Sequence, residues 1–266
     1  MKNKRVTVND FQRMKQEGVP IAALTAYDAV FAALVDEAGI DLILVGDSLA
    51  NVFQGKETTI PVTMEEMIYH SEIVARTVKR AFVVADMPFM SFQVSSEDAL
   101  RNAGTIMKKT GCNAVKLEGG IPVRNTIRSI VQAGIPVLGH LGLTPQSVNV
   151  FGGYGVRGRD NTNELIEESI AVQEAGAFGI VLEKIPRGLA AEISQKLTIP
   201  TIGIGAGPDC DGQILVTTDM LGLNPQFNPK FVRRYAELAA RALDGLKGYA
   251  DDVRARNFPS LDESYE

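Results

Sequence analysis

Eight short runs of apolar and β-branched residues recur along the chain, and their number and spacing restrict what it can fold into. They read PIAALTA (20–26), DLILVG (41–46), AFVVAD (81–86), NAVKLE (113–118), IPVLGH (135–140), FGIVLE (178–183), IPTIGIG (199–205) and, less clearly, QILVTT (213–218). Uninterrupted runs suit parallel strands buried on both faces, because a half-buried strand would alternate apolar with polar. Between most of them lie amphipathic segments with helix punctuation. TMEEMIYHSEIVARTVKR opens with Thr63 and Glu66 in capping-box spacing, and SSEDALRNAGTIMKKTG stops at Gly111 behind two lysines. PVRNTIRSIVQAG and NELIEESIAVQEAG finish on glycine in the same way. Eight strands alternating with helices in 266 residues match an α/β fold of the (β/α)8 TIM barrel type, with an open doubly wound sheet as the alternative. Thr7, Asp10 and Gly18 bracket an extra N-terminal helix, placed to close the bottom of the barrel. With no Ser/Pro/Gly-rich linker, low-complexity segment or internal repeat, residues 1–266 read as one domain.

Charge and cysteine usage remove several classes of function. Lys plus Arg is 27 against Asp plus Glu at 32, a net charge of −5, and no stretch is basic enough to follow a nucleic-acid backbone. Cys112 and Cys210 form no C-x-x-C, so neither a disulfide framework nor a zinc site is indicated, and a reducing cytoplasm fits. The first residues carry lysines without an apolar stretch behind them, unlike a signal peptide, and nothing approaches the roughly 18 apolar residues of a membrane span.

In a barrel of this kind the chemistry sits at the C-terminal ends of the strands. The second run ends in Asp47 and Ser48, the third in Asp86, the fourth in Lys116 and Glu118, the fifth in His140 and the sixth in Glu183. Charged residues beside buried runs are costly to desolvate unless paired or bound to metal, and several carboxylates converging on one mouth call for a cation. Asp47 and Asp86 each also suit a helix cap. Two at equivalent strand ends, with Glu118 at a third, favour an oxygen-ligand site for Mg²⁺. Lys116, flanked by apolar neighbours, calls for an anionic partner, and His140 for a substrate oxygen. Glu183 suits proton abstraction from carbon, or else pairs with a lysine across the barrel. His70, Cys112 and Cys210 read as structural. GIGAGPDCDG lacks the spacing of a dinucleotide or P-loop motif and leaves a phosphate-binding loop after the seventh strand as a rival. NVFGGYGVRGRD reads as either an exposed loop or a lid bringing Arg157 or Arg159 toward an anion.

The stretches VGDSLANVFQGKETTIPVTMEEMIYH, ADMPF, AVKLEGG, GHLGLTPQSVNVFGGYGVRGR, VLEKIP and TIGIGAGPDCDGQILV, followed by PKFVRRY, resemble the ketopantoate hydroxymethyltransferase family from about residue 5 onward. The resemblance implies a (β/α)8 barrel transferring a one-carbon unit from 5,10-methylenetetrahydrofolate to 3-methyl-2-oxobutanoate, with Mg²⁺ and a homodecamer. It implies Asp47 and Asp86 as metal ligands, with Glu118 nearby or bound through water. Asp47, Asp86, Ser48, Lys116 and His140 would meet the oxo acid, and Glu183 would be the base. The chain departs from the family pattern at Gly155, Thr217 and Thr218, which leaves the folate contacts open, and at Lys184, whose charge would bear on Glu183 only if it pointed inward. Two rivals stand beside this reading: a Mg²⁺-dependent oxo-acid lyase or mutase of the phosphoenolpyruvate mutase/isocitrate lyase type, and a non-catalytic barrel that only binds.

Overall fold

The computed structural model describes residues 4–266. All eight runs are strands: β1 Ile21–Thr25, β2 Leu42–Val45, β3 Phe82–Asp86, β4 Ala114–Glu118, β5 Val137–Gly142, β6 Gly179–Glu183, β7 Thr201–Ile204 and β8 Gly212–Leu215. They pair in parallel in chain order and β8 returns to β1, so the sheet is a closed barrel and not an open one. Two ends differ from the sequence reading. β5 continues through Leu141 to Gly142. β8 stops at Leu215, and the threonines that looked strand-like begin a short helix, Thr217–Met220. The described chain groups into two compact units, the barrel up to Val216 and a second unit Thr217–Glu266. No shift in composition marks that boundary, which is why the sequence reads as one domain. No helix among the described residues is long and apolar enough to cross a membrane.

The period of two along each strand sorts the barrel's side chains into two apolar layers. Leu42, Leu44, Phe82, Val84, Ala114, Leu138, Val181 and Ile202 pack together inside the barrel. Ile43, Val45, Val83, Ala85, Val115, Leu117, Ile180 and Leu182 form the layer beneath the helices. The helices start and stop where their caps require. In Met64–Thr77 the Glu66 N–H donates to Thr63 Oγ1 at 3.2 Å and the Thr63 N–H donates to Glu66 Oε2 at 2.8 Å. Ser96–Thr110 ends on Gly111 in the left-handed region, φ 73°.

The helix Val8–Glu17 is opened by Thr7, whose N–H donates to Asp10 Oδ2 at 2.9 Å, and is closed by Gly18 at φ 66°. Its buried Phe11 meets Phe82 edge-on at 5.4 Å and stacks on Phe178 at 5.9 Å. Both partners lie at the N-terminal ends of their strands, so this helix closes the lower end of the barrel as the sequence anticipated. Phe11→Ala is therefore expected to lower stability by about 3 kcal/mol or more, read as a fall in the urea midpoint at unchanged slope. A loss under about 1 kcal/mol would mean that the aromatic cluster is not what closes that end.

Candidate active site

The inward-facing positions carry the apolar core upward and change character at the mouth. Asp86 closes β3, Lys116 and Glu118 are the third and fifth residues of β4, His140 is the fourth of β5, and Glu183 closes β6. Barrel register sets Asp86 beside Lys116, Glu118 beside His140, and Gly142 beside Glu183. Asp47 and Ser48 follow on the turn after β2, and Gly46 leaves them space: a Cβ there would stand 2.8 Å from Ser48 Oγ and 3.4 Å from Asp86 Oδ2. Gly142 is equally constrained, since at φ 91° a side chain would run into the Glu183 carbonyl.

The six groups named from the sequence as metal ligands, base and cationic contacts form one connected chain. Lys116 Nζ lies 2.7 Å from Asp86 Oδ1, an ion pair by distance, and Asp86 Oδ2 accepts the Asp47 N–H at 2.9 Å. On its other side Lys116 Nζ is 3.3 Å from His140 Nδ1. His140 Nδ1 is also 3.4 Å from Glu118 Oε1, and Nε2 is 3.4 Å from Glu183 Oε2. Ser48 joins at the edge, its Oγ 2.8 Å from the Tyr27 hydroxyl. The Tyr27 carbonyl accepts from His70 Nδ1 at 2.6 Å, which gives His70 the structural role expected of it.

Asp47, Asp86, Lys116 and His140 are buried, and burial bears on the protonation of all four. Desolvation, aided by Asp86 and Glu118, pushes the Asp47 carboxyl up to about 7, against Lys116 and the Gln146 hydrogen bond. Burial also raises Asp86, opposed chiefly by Lys116. For Lys116, burial favours the neutral amine, but Asp86, Glu118 and Asp47 outweigh it and the ammonium is retained. His140 follows the same logic: burial and Lys116 oppose protonation, Glu118 and Glu183 prevail, and its pKa is pushed up to about 9. As an imidazolium it carries an N–H on each ring nitrogen, with Nδ1 3.4 Å from Glu118 and Nε2 3.4 Å from Glu183, and Lys116 is a neighbour and not a donor to Nδ1. Cys112, raised to about 11 by burial, and Cys210, raised in the same way, are inert thiols.

Two buried residues escaped the sequence reading. Gln146, on the 3-10 turn Pro145–Ser147, donates through Nε2 to Asp47 Oδ2 at 2.9 Å and to the Met87 carbonyl at 3.0 Å. Its N–H donates to Glu118 Oε2 at 3.0 Å. A neutral amide in a loop carries no charge whose burial would flag it. Tyr27 ends no apolar run in charge, and only its burial at 3% exposure identifies it as part of the site.

The loop after β5 overhangs this mouth. Burial, Asp47 and Glu183 all hold the Tyr154 phenol proton more tightly, so the ring senses both carboxylates. Lys184, at φ 47°, donates through Nζ to the Tyr154 carbonyl at 2.6 Å, while its own carbonyl accepts the Arg157 N–H at 2.9 Å. The loop is thus tied to the residue that follows Glu183. Arg157 lies over the Phe151 ring at 3.9 Å and Arg159 is exposed, so the anion suggested for them has no counterpart in these contacts. After β7, Gly205 and Gly207 turn the chain at φ 65° and 87°, and Gly207 leaves no room for a Cβ against Arg187. Close packing accounts for Gly207.

The donor set suits a hard divalent cation. Asp47, Asp86 and Glu118 bring carboxylate oxygens to one mouth, and after burial itself the charges of Asp86 and Glu118 are what raise the Asp47 carboxyl. Among the described residues no three His, Cys, Asp or Glu side chains stand in an arrangement that could hold a metal ion by themselves.

Known proteins resemble this chain at two depths. Solved structures share its architecture: phosphonopyruvate hydrolase in complex with oxalate and Mg⁺⁺ superposes with a TM-score of 0.62 at 14% identity, over 97% of this chain and 93% of that one. The 2,3-dimethylmalate lyase of the PEP mutase/isocitrate lyase superfamily gives 0.61 at 17% identity, over 97% and 91%. Sequence relatives are far nearer. The 3-methyl-2-oxobutanoate hydroxymethyltransferase of Chlorobium luteolum is 56% identical over 266 residues, 98% of this chain and 96% of that protein. The enzyme of the same name from Pelobacter propionicus is 54% identical over 263 residues, 98% of each. The profile described as Ketopantoate hydroxymethyltransferase matches residues 5–261. Identity at more than half of all positions along nearly the whole chain reflects common descent and not merely a shared barrel, and the chain belongs to the ketopantoate hydroxymethyltransferase family.

Proposed function

We propose that the mouth of this barrel transfers a hydroxymethyl group from 5,10-methylenetetrahydrofolate to 3-methyl-2-oxobutanoate, giving 2-dehydropantoate for pantothenate and coenzyme A synthesis. The observation that supports it most is the contact chain running from Asp47 through Asp86, Lys116 and His140 to Glu118 and Glu183. It puts two cations, a set of oxygen donors and one more accessible carboxylate in a single pocket. Asp47 and Asp86 would hold Mg²⁺, with Glu118 beside it or linked through water. When bound, the ion supplies positive charge against the negative charge that grows on the keto oxygen of the substrate.

The residues of the chain divide the remaining work. Lys116 and His140, both protonated, attract the anionic oxo acid, and Ser48 offers it a hydroxyl. Glu183 takes the proton from C3: its side chain is 17% exposed, against 4% for Glu118, so it alone of the two glutamates opens toward incoming substrate. His140 Nε2 lies 3.4 Å from that carboxylate. The Tyr154 loop, tied down by Lys184, covers the pocket and limits the access of water to the carbanion. C3 then forms its bond to the folate-borne carbon, and water supplies the hydroxyl as tetrahydrofolate leaves. The same reading carries a cytoplasmic location and a homodecamer, the latter checked by light scattering.

The test is proton NMR of 3-methyl-2-oxobutanoate in D₂O with protein and Mg²⁺, followed by addition of methylenetetrahydrofolate. Loss of the C3 proton signal, blocked by chelator, and then formation of 2-dehydropantoate are expected. No exchange either before or after folate addition would overturn the transferase. Breakdown of an oxo acid without any need for folate would favour the lyase or mutase reading, for which the shared barrel architecture speaks.

A further inference from the structure

We infer that Gln146 is the positioning residue that fixes the metal-binding face of the pocket, an assignment that rests on the Mg²⁺ reading above. Gln146 gathers the acids of two strands onto one residue. Its Nε2 donates to Asp47 Oδ2 at 2.9 Å and its backbone N–H donates to Glu118 Oε2 at 3.0 Å. The second amide hydrogen reaches the Met87 carbonyl at 3.0 Å, on the segment that follows Asp86.

The orientation of the amide is determined by its neighbours. A carboxylate and a carbonyl only accept, so the Nε2 end has to face Asp47 and Met87. Oε1 then faces Gln93, whose Nε2 donates to it at 3.0 Å. Flipping the amide would set oxygen against oxygen at Asp47 and Met87 and nitrogen against nitrogen at Gln93. The backbone is held as well, with Pro145 opening the turn and the Ser147 N–H bonded to the Thr144 carbonyl at 2.9 Å. One oxygen of Asp47 and one of Glu118 are thereby pinned. Glu118 Oε1 is left buried 3.4 Å from His140 Nδ1, with no hydrogen bond fixing it. A residue there only to fill space would need the volume of glutamine but neither of its donors.

That difference is the basis of the test. Methionine at 146 keeps the length and the backbone N–H but removes the amide, and Gln93→Ala, at an exposed position, removes only the group that orients it. Mg²⁺ is titrated calorimetrically into chelator-treated wild type, Gln146→Met and Gln93→Ala, with circular dichroism and thermal melts as controls for folding. Gln146→Met is expected to weaken Mg²⁺ binding about 10- to 100-fold at near-native secondary structure, and Gln93→Ala to weaken it less. Binding by Gln146→Met within about twofold of wild type would overturn the positioning role while leaving the metal reading intact. Should Gln146→Met fail to fold, unchanged affinity in Gln93→Ala would overturn it. Absence of Mg²⁺ binding by the wild type would instead bring down the metal reading, and this inference with it.

Discussion

Glu183→Gln is expected to abolish exchange of the C3 proton and to lower turnover by at least about 10²- to 10⁴-fold, the range for loss of a general base. The amide is close in shape to the carboxylate and still offers an oxygen to His140 Nε2, so packing at the end of β6 is preserved and Mg²⁺ binding should persist. The variant also has a readout independent of turnover. Glu118 and Glu183 together raise the His140 pKa to about 9 against burial and Lys116, so removing one negative charge must lower it. His140 would then titrate closer to the ordinary histidine range, visible by NMR of its ring protons. Retained exchange in a folded variant whose His140 titration has shifted would assign the base to another group.

The second large effect is expected at Asp47, and it has two faces. Asp47→Asn should lose metal-dependent turnover, yet in the presence of chelator it should be more stable than the wild type above neutral pH. A carboxyl held at about 7 when folded and near 3.8 when unfolded contributes nothing below about pH 4, where both states are protonated. As pH rises toward and through 7, the folded state must release a proton it holds more tightly, and stability falls by an amount of order 4 kcal/mol at most. His140 acts in the same direction in a later window. Its stabilisation is present below the unfolded value of about 6.5 and is lost as pH rises through about 9. Chelator-treated wild type should therefore melt lower at pH 9 than at pH 6, whereas Asp47→Asn should keep only the His140 part of that slope. Mg²⁺ should raise the melting temperature of the wild type at pH 8 and do so far less for the variant. An equal rise in both would take Asp47 out of the metal site.

The sequence makes these residues conspicuous because a charge at the end of a run such as FVVAD or AVKLE lies next to buried backbone, and few structural reasons place it there. The same contrast explains what was hidden. Gln146 contributes hydrogen bonds and no charge, and it sits in a turn that no periodicity describes. Arg157 is readable as a cation but not as one lying on Phe151, since an aromatic face and an anion are equally good partners on paper. Thr217 and Thr218 carry the β-branched signature of a strand, but their carbonyls accept the Leu221 and Leu223 N–H groups in a helical turn, and β8 stops at Leu215. The barrel itself was legible because strands buried on both faces leave eight separate apolar runs, whereas the division at Val216 has no composition of its own.

The register that sets Asp86 beside Lys116 and Glu118 beside His140 also governs how such a site can diverge. Deleting Ala114 or Val115 from β4 would turn Lys116 and Glu118 together out of the lumen and into the apolar layer under the helices, because side chains change face at every step. Insertions between Gly152 and Val156, by contrast, leave the strand register untouched. A lineage built on this barrel can therefore explore new substrates through the lengths of its loops and the identities at its strand ends, while the lengths of its strands stay fixed.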